Sequence, residues 1–168
     1  LNSKFSEVWW FYPSSDATEN DRYVAWNYRE NYWTIGAIDR TAGADVGEFI
    51  YPNFVSSTGY IYEQEVGFSY DSSEVFAESG PVQLGNGDRL MVARSLIPDE
   101  QTQGDVTATF KTRLYPNAVE SSYGPYQMAN PTSVRFQGRE VSMRVTGNVA
   151  TDWRVGIMRL DVVPGSAR

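Results

Sequence analysis

The chain has 168 residues and a mass of 18.9 kDa, enough for one domain or two small ones with a real core. Lys and Arg number 14 against 21 Asp and Glu, a formal charge of -7, and a hydrophobic content of 41% with 21% charged residues excludes a disordered chain. The sequence has no Cys and no His, which excludes disulfides, thiolate zinc, iron–sulfur clusters, a Ser-His-Asp triad and imidazole acid–base catalysis, and leaves carboxylates, Lys, Tyr and oxygen-ligated cations.

The longest unbroken apolar run is five residues, Val8 to Tyr12, where a helical membrane span needs about 20. No stretch combines a basic head, an apolar middle and a small-residue exit. Leu1 in place of an initiating Met predicts a processed chain or the tail end of a longer one. Charge is unevenly placed: residues 1–74 hold 4 basic and 12 acidic side chains, and residues 75–168 hold 10 and 9. The first part therefore repels polyanions, which argues against a nucleic-acid-binding surface there and leaves open a passage along which nucleic acid slides without sticking.

The chain reads as strand almost throughout. Aromatics make up 14% of it, with frequent Val, Ile and Thr, the residues that suit a pleated, half-buried surface. Phe5–Tyr12 opens the series. Arg22–Tyr28 alternates Val24, Trp26 and Tyr28 against Tyr23, Ala25 and Asn27, and Tyr32–Ile38 places Trp33, Ile35 and Ala37 on one face. Arg29-Glu30-Asn31 joins the last two, with Asn31 suited to the left-handed conformation of a tight hairpin. A long connection rich in Gly, Ala, Asp and Pro runs from Arg40 to Ser57, and Thr58-Gly59 opens a fourth strand, Tyr60–Glu65. Four such strands predict one four-stranded antiparallel sheet, the shape of a propeller blade, filled by rings such as Trp9, Trp10, Trp26 and Trp33. One blade cannot bury both its faces. Residues 1–70 therefore read as the last blade of a β-propeller-like domain.

Gly, Ser, Tyr and Asp crowd between Gly67 and Ser73 and mark a domain boundary. Beyond it, strands are expected at Val75–Glu78, Arg89–Ile97, Asp105–Tyr115, Arg139–Gly147 and Trp153–Val163. The third alternates Val106, Ala108, Phe110, Thr112 and Leu114 against Thr107, Thr109, Lys111 and Arg113. The last starts with Trp153, Val155 and Ile157 on one face, then switches phase to Met158, Leu160 and Val162, as a β-bulge or a sheet-switching corner requires. Turn signals at Gly85-Asn86-Gly87-Asp88, Pro98-Asp99, Tyr115-Pro116-Asn117, Gly124-Pro125, Asn130-Pro131 and Gly147-Asn148 separate the strands. Residues 75–168 thus predict a β-sandwich of about six or seven strands, with Trp153 anchoring its core. The fold class is all-β, a blade-like antiparallel sheet followed by a sandwich.

Few groups offer chemistry. Glu63 and Glu65 lie two apart on the expected strand, share a face about 7 Å apart, and have the residue types of a glycosidase pair beside sugar-stacking rings; a plain solvent-facing pair is the simpler reading. Asp16, Glu19 and Asp21, with Ser14, Ser15, Thr18 and Asn20, offer oxygen ligands for a hard cation, in a spacing that matches no known calcium loop. Pro98 to Asp105 forms an acidic turn, and Gly85-Asn86-Gly87 lacks the Lys and the helix of a phosphate loop. Arg135, Arg139, Arg144, Arg154 and Arg159 offer a basic surface, or pair with Glu140, Asp152 and Asp161 across strands. No catalytic, cofactor-binding or metal-binding residue is assigned, and the chain reads as a non-enzyme.

Four stretches, taken in order, carry a family resemblance over nearly the whole chain. The first is Trp9-Trp10-Phe11-Tyr12-Pro13-Ser14, followed by Asp21-Arg22-Tyr23-Val24 and Asn27-Tyr28. The second is Trp33-Thr34-Ile35-Gly36 running into Arg40-Thr41-Ala42-Gly43. The third is Glu78-Ser79-Gly80-Pro81, then Leu84-Gly85-Asn86-Gly87-Asp88 and Pro98-Asp99. The fourth is Gly138-Arg139 with Trp153-Arg154-Val155-Gly156 and Arg159-Leu160-Asp161. No one motif is specific, but the ordered set resembles the C-terminal part of the tail nozzle proteins of short-tailed phages, also called packaged-DNA stabilisation or tail hub proteins. The resemblance implies a virion protein in a homo-hexameric ring, prolonging the tail channel below the tail adaptor and above the distal tail proteins. It implies a propeller followed by a β-rich domain, a role in retaining packaged double-stranded DNA and passing it at ejection, and no catalytic residues. A carbohydrate-binding module with Trp and Tyr as stacking platforms at the host surface is the alternative.

Overall fold

The computed structural model describes residues 1–67, 75–86, 88–98, 106–129, 131–147 and 153–165. Every regular element among them is a β-strand, all pairings are antiparallel, and no helix is present among the described residues, so none is long and apolar enough to cross a membrane. Two compact units divide the chain, Leu1–Gly67 and Phe68–Arg168.

In the first unit, β1 (Glu7–Tyr12), β2 (Arg22–Asn27) and β3 (Tyr32–Ala37) form a three-stranded meander in that order. The β2–β3 turn is closed by Asn27, whose Oδ1 accepts the backbone N–H groups of Arg29 at 3.1 Å and Glu30 at 2.8 Å. Asn31 takes the expected left-handed conformation at φ 58°. The register sets Trp9 opposite Ala25 and Trp26 opposite Trp33.

The expected fourth strand does not extend this sheet. Residues around it form β6 (Ile61–Glu63), which pairs with β5 (Asn53–Val55), which pairs with β4 (Ala42–Ala44), giving a separate three-stranded sheet. The supposed connection from Arg40 to Ser57 supplies two of its strands. Gly and Pro disguise them, because those residues weaken strand propensity in isolation. In the folded chain Gly43 is needed: a Cβ there would fall 1.8 Å from Cδ1 of Phe54. The Phe54 ring in turn lies 5.4 Å from Phe11 and 6.2 Å from Trp9, centroid to centroid, and so joins the two sheets of this unit through rings.

In the second unit, β7 (Phe76–Glu78), β8 (Val82–Gln83), β10 (Val106–Arg113), β11 (Ser121–Gln127) and β13 (Glu140–Gly147) form one sheet, ordered β11-β10-β13-β7 with β8 also on β13. A second sheet is ordered β12-β9-β14, from β9 (Met91–Ile97), β12 (Thr132–Gly138) and β14 (Arg159–Pro164). Both sheets feed one core. Ala93 and Leu96 come from β9, Val106, Ala108 and Phe110 from β10, Val134 and Phe136 from β12, and Val141 and Val145 from β13. Strict alternation of apolar and polar residues along β10 produces this directly: Val106, Ala108, Phe110 and Thr112 are buried while their neighbours are not. Leu114 lies past the strand end and is exposed.

Three expectations need correction here. Gly124-Pro125 does not separate strands; it lies inside β11. That strand is at a sheet edge, where the missing proline N–H costs no ladder bond. Gly124 sits at φ 113°, and a Cβ on it would fall 2.8 Å from the Ala108 carbonyl oxygen, where the β10–β11 register shifts. Trp153–Val163 is not one strand either: only Arg159–Pro164 pairs, and the slip lies between Asp161 and Val162 against β9. Trp153 packs half-buried on the rim of the core, whose largest fully buried side chain is Phe110.

Candidate functional surface

The rings of the meander divide between its two faces, as strand alternation dictates. Trp9, Phe11 and Tyr23 lie on the inner side with Ala25, which is 1% exposed. Trp9 stacks on Tyr23 at 4.5 Å and 14°. The outer side carries Val8, Trp10 and Tyr12 on β1, Val24 and Trp26 on β2, and Trp33 and Ile35 on β3. Trp33 stacks at 5.9 Å on both Trp10 and Trp26, with interplanar angles of 27° and 22°. Trp10 is 45% exposed, Trp33 61% and Ile35 72%. Of the four indoles expected to fill a blade core, Trp9 alone is turned to the interior of the unit, and Trp10 and Trp33 stand exposed. An exposed apolar patch of this kind on a folded chain is what a binding face presents.

Two carboxylates of this unit, Asp21 and Asp45, accept short hydrogen bonds from uncharged groups, and Asp21 also lies 3.8 Å from the Arg22 guanidinium. Asp21 accepts the Ser14 backbone N–H at 2.6 Å and its hydroxyl at 2.7 Å, which lowers its pKa from the ordinary carboxylate range. Asp45 accepts the Ser3 hydroxyl at 2.5 Å and is lowered for the same reason. The acidic loop thus spends Asp21 on closing its own turn, and no cluster of three or more metal-ligating side chains occurs among the described residues.

Glu63 and Glu65 do not share a face. Strand β6 ends at Glu63, and Glu65 turns away at φ 62°. Its Oε1 accepts the Nδ2 amide of buried Asn2 at 3.0 Å. Burial, and then the charge of Glu7, raise the Glu65 pKa; burial with Glu7 and Glu65 raises that of Tyr23. Glu7 itself accepts the Trp9 indole N–H at 2.8 Å. The carboxylate that acts on Glu65 is therefore Glu7, brought in from another strand, and no spacing in the sequence announces that approach.

Of the arginines in the second unit, Arg144 pairs with Glu78 at 3.5 Å, shares it with Lys111, and lies over the Phe76 ring at 3.7 Å. Arg139 lies over Tyr115. Arg135 and Arg159 are exposed and have no ion pair with another described residue. Arg144 thus pairs across strands with Glu78, Glu140 and Asp161 form no ion pair with another described residue, and Asp152 lies outside the described residues, as do Asp99 to Asp105 and Gly87 of the two turns considered above. No protein-family model and no curated protein matches the sequence.

Proposed function

We propose that the chain is a structural virion protein, a subunit of a ring in the tail nozzle of a short-tailed phage that extends the DNA channel, helps retain packaged DNA and passes it at ejection. The outer face of the β1–β3 meander supports this: a sheet apolar on both sides needs a cover that three strands cannot supply for themselves. In this reading the meander is blade-like, one strand short of a full blade. The two sheets sharing the Phe110 core are the layers of a β-sandwich. The ring is a homo-hexamer between the adaptor and the distal tail proteins, and duplex DNA passes without sequence-specific contact. The acidic first unit suits a wall to which DNA does not adhere. No catalysis, metal or cofactor enters.

The alternative, a carbohydrate-binding module, draws on the same indoles. Val8, Val24 and Ile35 beside them make the face broadly aliphatic, which suits an assembly contact better than a sugar platform. Cryo-EM of the source particle, with no symmetry imposed on the tail, tests the proposal. The expected result is this chain in a closed ring around an axial channel. A peripheral monomer overturns it, and retention on a glycan array would then favour the alternative.

A further inference from the structure

Strand β3 ends the meander and pairs on one side only. Its sequence, Tyr32-Trp33-Thr34-Ile35-Gly36-Ala37, holds no charge and no proline, and five of its six residues are exposed. Folded proteins protect such edges with charge, proline, bulges or a covering segment, since bare strand groups recruit further strands. The first edge of the meander has some protection: Asn2 exchanges both backbone hydrogen bonds with Glu7 at the start of β1, at 2.8 and 3.1 Å. Among the described residues no such bridge covers β3.

The ladder says which groups are free. Ile38 N–H donates to the Asp21 carbonyl at 3.0 Å. Antiparallel pairs alternate, so Gly36 and Thr34 also bond to β2, and the N–H and C=O groups of Trp33, Ile35 and Ala37 point away from it.

We propose that this edge pairs with the same edge of a second copy of the chain, antiparallel about a two-fold axis at Ile35, joining two meanders into one continuous sheet. Three features select that occupant and register. Pairing centred on Ile35 sets Trp33 opposite Ala37 of the second copy and Ala37 opposite its Trp33, so all three outward-facing residues of each strand find ladder partners. Side-chain sizes match across the axis: indole against methyl twice and Ile35 against Ile35 on one face, Thr34 against Gly36 twice on the other. The paired segments Tyr32–Ala37 hold no charged side chain, so no like charges oppose one another across the seam although the chain carries a net -7. A ring needs a head-to-tail contact between unlike patches, whereas a two-fold contact joins one patch to itself. The pairing therefore holds or fails apart from the proposed nozzle ring.

The test uses the full chain, which has no native cysteine. Sedimentation of the unmodified protein is expected to show a dimer with a dissociation constant on the order of micromolar. Ile35→Lys puts a charge on an outward edge position, so it should weaken the dimer at least tenfold while leaving the circular dichroism spectrum and the melting curve of the dilute, monomeric chain unchanged. Mild oxidation of Ile35→Cys should give a disulfide-linked dimer, because directly paired residues of a ladder lie within disulfide reach. Thr34→Cys, which faces Gly36 and not another Cys across the axis, should form no such cross-link under the same conditions. A chain that remains monomeric at about 100 times the expected dissociation constant overturns the proposal. So does a dimer indifferent to Ile35→Lys, or one that links through Thr34→Cys instead.

Discussion

Leu1–Gly67 is rich in rings and Phe68–Arg168 in aliphatic side chains, and the two use apolar surface differently. In the second unit, alternation along β10 and β12 delivers Val106, Phe110 and Val134 to a dry interior, where Leu96 of β9 meets them, all at 0% exposure. In the first, the only fully buried apolar side chains are the small Ala25 and Pro52. Its Trp, Tyr and Phe rings lean on one another and on glycines, half in water. Aromatic content is therefore a poor guide to where a core lies. A ring that stacks on a neighbouring strand gains contact without leaving solvent, whereas a small aliphatic set that alternates in register closes a volume.

Four substitutions sharpen this contrast, from the largest expected effect down. Phe110→Ala removes the largest fully buried side chain and should cost about 3–5 kcal/mol, read as a loss of melting temperature or urea midpoint. Gly43→Ala drives a methyl into the Phe54 ring and should cost about 1–3 kcal/mol. Its effect should be confined to Leu1–Gly67, so near-ultraviolet circular dichroism should change while amide protection of β10 stays the same. Trp153→Ala, on the rim of its core, should cost about 1–2 kcal/mol by area, well below the cost of a central cavity. Trp33→Ala should move chemical stability by less than about 0.5 kcal/mol, because most of the indole is already in water.

The pH response gives a smaller test. Glu65 has a raised pKa in the folded chain, first from burial and then from Glu7. Its contribution to stability is therefore fully present below the ordinary glutamate value and is lost as the pH rises through the raised one. Glu65→Gln should stabilise the chain at neutral pH, make little difference near pH 4, and flatten the profile between. Asp21 runs the other way: its lowered pKa contributes stability above the ordinary aspartate value, lost on acidification. A pH titration of thermal unfolding for each variant checks both signs.

Much of this architecture was legible in the residues. The meander strands, the Asn31 turn and the alternation of β10 and β13 follow from period-two patterning and turn chemistry. Strand β12 also alternates, Val134 and Phe136 against Ser133, Arg135 and Gln137, but it lies close behind the Asn130-Pro131 turn signal and escapes notice. Strands β4 and β5 were hidden for another reason. They are three residues long, β4 centred on Gly43 and β5 starting straight after Pro52, and only the Phe54 ring packed on Gly43 gives them sense. Gly124-Pro125 reads as a turn because both residues break ladders; an edge position with a register shift absorbs them. The surface was less legible than the fold. Sequence spacing paired Glu65 with Glu63, while the chain path brings it under the influence of Glu7, and which face of an alternating aromatic strand turns inward depends on Phe54, some 30 residues beyond β2 in sequence.

The central claim is that one unit carries a finished core while the other holds an unfinished edge and face. Amide hydrogen exchange of the full chain, followed residue by residue at low and high protein concentration, tests it most directly. The account predicts slow exchange along β10 at every concentration. At Trp33, Ile35 and Ala37 it predicts fast exchange when dilute and protection on concentration. Equal and concentration-independent protection of β3 and β10 would contradict it.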